Sequence, residues 1–167
     1  FLHEEIAEAV YSYYSSEDVN NNKAIEIIKK IEYNQKIKTF LVEYHYEYII
    51  DHLFDKNNYE LICSFSELIN PNELTSSTLF KTSYSFSEIG DDCKAKSGYQ
   101  IHIQEYGESS AVCNNLGNIF KKEGNKAKAI ELYTKAIELD PEDKIAKNNL
   151  KNTENQKLHD EKKEKEI

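Results

Sequence analysis

Residues 113–141 read CNNLGNIFKKEGNKAKAIELYTKAIELDP, from Cys113 to Pro141, and this stretch decides the fold. Its informative residues are Cys113, the pair Leu116-Gly117, Phe120, Ala129, Tyr133, Ala136 and Pro141. They describe two antiparallel helices that cross closely. Gly117 and Ala129 lack bulk at the crossing, and Phe120 and Tyr133 fill the space beside it. Pro141 has a fixed φ and no amide donor, so it ends one helix and suits the start of another.

In residue type and spacing the stretch resembles the tetratricopeptide repeat: Leu-Gly, then an aromatic, then Ala, aromatic, Ala and Pro. Only the first position departs, since the family prefers Trp where Cys113 stands as a smaller apolar filler. The resemblance covers residues 110–143. It implies an all-α, right-handed superhelix of stacked helix pairs that binds other proteins, with the first helix of each pair lining the concave surface.

Working outward, the 167 residues suffice for one domain with a real core or for a short solenoid. There is no apolar run long enough to span a membrane. The chain opens on Phe1 rather than Met, so its natural start is expected upstream. All 21 basic residues are Lys, and without Arg there is no forked, bidentate grip on phosphate or carboxylate. A net charge of -9 disfavours nucleic acid and anionic membranes as partners. The charge is uneven: residues 1–110 carry 9 Lys and 19 acids, residues 111–167 carry 12 Lys and 11 acids. The acidic part reads as a solvated convex face, the alternative being a surface that steers a basic partner. Cys63, Cys93 and Cys113 are odd in number and widely spaced, which indicates neither a zinc site nor a disulfide framework. They fit a reducing, intracellular, cytoplasmic setting.

Earlier, weaker copies of the unit are expected. NKAIEIIKKIE at 22–32 echoes AKAIELYTKAIE at 127–138. Pro71 precedes Pro141 by twice 35 residues, and Ser66 then falls where Ala136 requires a small residue. The division that follows is one helical repeat domain over 1–163. Degenerate repeats occupy 1–35, 36–70 and 71–108, the clear repeat 109–143, and a capping helix 144–163, with a frayed charged tail at 164–167. In all this makes about four helix pairs plus a C-terminal capping helix.

Apolar spacing predicts helices over 24–31, 37–54 and 59–69. Asn70-Pro71-Asn72-Glu73 reads as a helix start with Asn70 as N-cap. Between Leu74 and Tyr106, SYSFSEI and YQIHIQEY alternate like strands. Helices are nonetheless expected there, since a strand within a helical stack has no sheet to join, with Gly90 and Gly98 marking turns or frayed ends. After Pro141 a polar helix is expected, capped by Asp140.

The candidate peptide-binding residues are asparagines and aromatics. With Leu116 and Phe120 facing inward, the neighbouring stripe holds Asn114, Asn115, Asn118 and Lys122, and the last helix presents Asn149 in the corresponding stripe. An Asn amide donates and accepts, so it suits the backbone of an extended peptide. Tyr44, His45 and Tyr48 share one helical face and would supply a selective end. Some relatives grip a C-terminal carboxylate of heat-shock chaperones with a two-carboxylate clamp. Here Asn118 and Asn149 match that pattern, but Asn114 stands where Lys is needed, and there is neither Arg nor a third helix. No catalytic, phosphate-loop or dinucleotide motif occurs, and His45 and His52 lack a third metal ligand. No enzyme, metal or cofactor is therefore expected. The reading is a protein- or peptide-binding scaffold, the alternatives being a peptide-sensing receptor domain or an architectural part of a larger protein.

Overall fold

The computed structural model describes residues 46–165. Among these, every regular element is helical. The α-helices are α1 (Tyr46–Asp55), α2 (Tyr59–Ser66), α3 (Ser76–Glu88), α4 (Asp92–Tyr106), α5 (Ser110–Lys122), α6 (Lys126–Leu139) and α7 (Lys144–Lys165), with a 3-10 turn at Pro71–Glu73. The repeat expected at 1–35 and the first half of the 37–54 helix lie outside the described residues. The chain divides into two compact units, residues 1–98 and 99–167.

In the first unit α1, α2 and α3 pack on one another. Their shared core is Ile49, Ile50, Leu53, Leu61, Ile62 and Phe65, all essentially inaccessible. Around it Phe54, Tyr59 and Tyr84 meet edge to face, with ring centroids 5.6–6.0 Å apart. Asp51 of α1 accepts from Lys81 of α3 at 2.7 Å. In the second unit α5 and α6 form an antiparallel pair, and α7 packs on both. Cys113, Ala136 and Ala146 form one buried cluster with Ile137 against it, so Cys113 is the small filler its position requires.

The helices repeat every 34 residues, not 35. Thr75, Ser109 and Asp143 stand at the N-caps of α3, α5 and α7. Asp91 and Asn125 cap α4 and α6 in the same way, each side chain accepting an amide three residues on, at 3.1 Å. Gly90 and Gly124 close α3 and α5 with φ of +85 and +83, a left-handed turn that glycine adopts without strain. The buried residues keep the same step: Leu61, Ala95 and Ala129, then Phe65, Tyr99 and Tyr133, then Leu68, His102 and Ala136. Ser66, placed by the 35-residue step, is two positions out of register with Ala136.

Four local expectations are corrected. Asn70 caps only the 3-10 turn, its side chain accepting from Asn72 N at 3.1 Å, and α3 starts at Ser76. Asp140 holds the turn at Glu142, while the cap of α7 is Asp143, which accepts from Ile145 N and Ala146 N at 2.9 Å. The segment predicted as helix to Ile69 ends its α-helix at Ser66 and finishes in tight turns. Gly98 is neither a turn nor a frayed end. It lies inside α4, where a Cβ would come 3.2 Å from Ser83 Cβ of α3, so it permits a close helix approach.

The alternating segments SYSFSEI and YQIHIQEY are helical for a physical reason. Thr82, Ser83 and Ser85 look polar in sequence but are buried, because their hydroxyls bond back to their own helix. Thr82 and Ser83 donate to Leu79 O at 3.0 and 2.7 Å, and Ser85 to Lys81 O at 2.7 Å. Backbone carbonyls thus satisfy these groups without a partner strand.

Candidate functional site

The asparagine face lies wholly within the second unit. Four of the predicted site residues, Asn114, Asn115, Asn118 and Asn149, come together there on α5 and α7. Ser109 caps α5 by accepting from Val112 N at 3.3 Å. The start of α7 is tied down by Ser110 Oγ, which donates to Asp143 Oδ2 at 2.6 Å. That bond, with the amides of Ala146 and Ile145, holds the Asp143 carboxyl below the usual carboxylate range. Two caps therefore set the relative position of the helices that carry the amides.

Asn149 Nδ2 donates to Asn114 Oδ1 at 2.8 Å and to Asn118 Oδ1 at 3.2 Å, bridging α7 to α5. Tyr133 OH of α6 donates to the same Asn118 Oδ1 at 2.8 Å. Asn114 Nδ2 reaches Asn115 Oδ1 at 3.4 Å. The Tyr133 ring is fully buried, and burial pushes its hydroxyl up to about 12, so it acts as a permanent donor. Thr153 is buried beneath the cluster, with its hydroxyl on Asn149 O at 2.7 Å.

The amides are thus not equivalent. Asn114 is 6% exposed, and its oxygen is held by Asn149. Asn149 has spent its amide hydrogens on α5. Asn118 uses its oxygen twice, which leaves its two N–H groups for an outside acceptor, and Asn115 likewise offers its amide nitrogen. Sequence spacing placed these residues on one face but did not show which amide groups are bonded within the protein. Tyr133, read in the sequence only as a core filler, also bonds into this cluster through its hydroxyl.

Of the aromatic candidates, Tyr48 lies in the first unit and is 56% exposed on α1. Tyr44 and His45 lie outside the described residues. His52 is half-buried, and among the described residues no group of three His, Cys, Asp or Glu could hold a metal. Burial pushes the Cys63 thiol up to about 12 and raises that of Cys113. Among the described residues, no helix is long and apolar enough to cross a membrane.

Helices whose caps and buried residues repeat every 34 residues make an α-helical repeat fold, with small residues at the α3–α4 and α5–α6 crossings. Residues 110–143 match the model of the tetratricopeptide repeat family. Two crystal structures of a protein named MamA share the fold. One is 19% identical, with a TM-score of 0.60 over 93% of this chain and 85% of that chain. The other is 21% identical, with a TM-score of 0.57 over 83% of this chain and 80% of that chain. No curated protein matches. The repeat and the fold together support a protein-interaction scaffold in general.

Proposed function

We propose that the chain is a non-catalytic scaffold module that binds an extended peptide, or a partner segment, in the groove along the first helices α5 and α7 of the second unit. The observation that carries this reading is the Asn114–Asn149–Asn118–Tyr133 network. It occupies the Asn114 and Asn118 oxygens and the Asn149 amide hydrogens, which supports assigning the Asn118 and Asn115 N–H groups to a ligand's backbone carbonyls. Such donors read the backbone rather than particular side chains, so selectivity is assigned to aromatic contacts, with Tyr44, His45 and Tyr48 as candidates. Protein or peptide is the partner class, since a net charge of -9 works against nucleic acid and anionic lipid.

The test is capture from a peptide library, followed by titration of two variants. Asn118→Asp keeps the acceptor that Tyr133 and Asn149 use but removes the outward donor, and Asn115→Ala removes the second donor. Each lost hydrogen bond is worth about 0.5–1.5 kcal/mol, so the double variant should bind roughly tenfold more weakly with its melting midpoint little changed. Unchanged affinity would remove the asparagine face from the binding site.

A further inference from the structure

The second unit has another open groove, of about 560 Å³, between α4 and α6. Its floor is apolar: Ile103 of α4, Leu116 and Phe120 of α5, and Leu132 of α6. Its α6 wall carries a line of charges, Lys128, Glu131, Lys135 and Glu138, with Leu132 and Thr134 between them. These six residues have an internal symmetry. For each one, another stands equally far on the opposite side of Tyr133, and in every charged case that partner bears the opposite sign.

We infer that this groove is a self-association surface, occupied by α6 of a second copy of the chain running antiparallel about a two-fold axis beside position 133. In that arrangement Lys128 faces Glu138 of the second copy, and Glu131 faces Lys135 of the second copy. The two-fold repeats each contact, so four Lys–Glu pairs close and no like charges meet. Self-complementarity of one patch is what a two-fold homodimer requires. The orientation is specified as well, since parallel in-register helices would set Lys on Lys and Glu on Glu.

The present partners of these charges do not block the exchange. Lys128 pairs with Glu131 at 2.6 Å and Lys135 with Glu108 at 3.1 Å, both with substantially exposed side chains. Exposed pairs of this kind hold weakly and re-pair at little cost. Burial of Leu132, Phe120 and Ile103 supplies the apolar contribution, and the charges supply the register. This face is distinct from the asparagine cluster, so its test reads independently of peptide binding.

Sedimentation equilibrium of the full chain, from micromolar to submillimolar, is expected to show a monomer–dimer equilibrium that weakens with salt. Glu131→Lys with Glu138→Lys gives an all-positive stripe, and Lys128→Glu with Lys135→Glu an all-negative one. Each variant alone is expected to be monomeric, and their equimolar mixture to regain the dimer as a heterodimer. A monomeric parent, a reversed variant that still dimerises, or a mixture that stays monomeric would each overturn the assignment. Should circular dichroism show a reversed variant unfolded, Glu131→Gln with Glu138→Gln removes the attraction without adding repulsion. Its dimer should then be about tenfold weaker, and an unchanged dimer would overturn the proposal equally.

Discussion

A side chain at Gly117 has nowhere to go, and the consequence can be worked out from the structure. A Cβ there would lie 2.7 Å from Tyr133 Cε1, 2.9 Å from Cδ1 and 3.2 Å from Cζ. Carbon atoms sit comfortably about 3.5–4.0 Å apart, so the ring or the helix must move by close to 1 Å. The ring is fully buried, and its hydroxyl is bonded at 2.8 Å to Asn118, which also holds Asn149. Movement therefore strains the contact between α5 and α7 as well. Overpacking of this kind costs about 1–3 kcal/mol, whereas replacing a mid-helix glycine by alanine returns about 1 kcal/mol of helix propensity. Gly117→Ala should thus lose about 0–2 kcal/mol net, and Gly117→Leu about 3 kcal/mol or more. With urea slopes of about 1–3 kcal/mol/M, the Leu variant's unfolding midpoint should fall by roughly 1–3 M. The decisive control is Tyr133→Leu, which removes the ring. In that background Gly117→Ala should become neutral or stabilising. A Leu-variant midpoint within error of the parent, or the same Ala cost in both backgrounds, would refute the close-crossing argument.

Stability should also depend on acid through Asp143, whose folded carboxyl titrates below its ordinary range, chiefly through Ser110. A depressed folded value means the stabilisation is fully present above about pH 4 and disappears as the pH falls through the folded value. Asp143→Asn should accordingly lower the urea midpoint at pH 7, and the gap to the parent should close in strong acid; a gap independent of pH would contradict the linkage. Among the cysteines, Cys93 is exposed while Cys63 and Cys113 are buried with raised thiols. A thiol reagent should therefore label Cys93 first in the native protein and all three on unfolding, and rapid native labelling of Cys113 would argue against the packing of the second unit.

The sequence by itself determined the helix pair at 110–143, because its residues report local and nearest-neighbour physics. Gly117, Ala129 and Tyr133 are read from the space that two adjacent helices leave, and Pro141 from its own backbone. It also carried the 34-residue step, in the caps Thr75, Ser109 and Asp143, although the two prolines pointed to 35. Their spacing misled because Pro71 opens a separate 3-10 turn, while Pro141 sits in the tight turn before α7. The segment between Leu74 and Tyr106 was ambiguous because a buried serine bonded to its own helix counts as polar in any periodicity. Only the packed structure reveals that Ser83 faces Gly98. The asparagine face was legible as a stripe, since helical spacing alone puts Asn114, Asn115 and Asn118 together. Which amide groups are bonded within the protein was decided by tertiary structure, because Asn149 and Tyr133 reach the stripe from other helices. A hydrogen bond between residues 31 or 15 positions apart in the chain leaves no local trace.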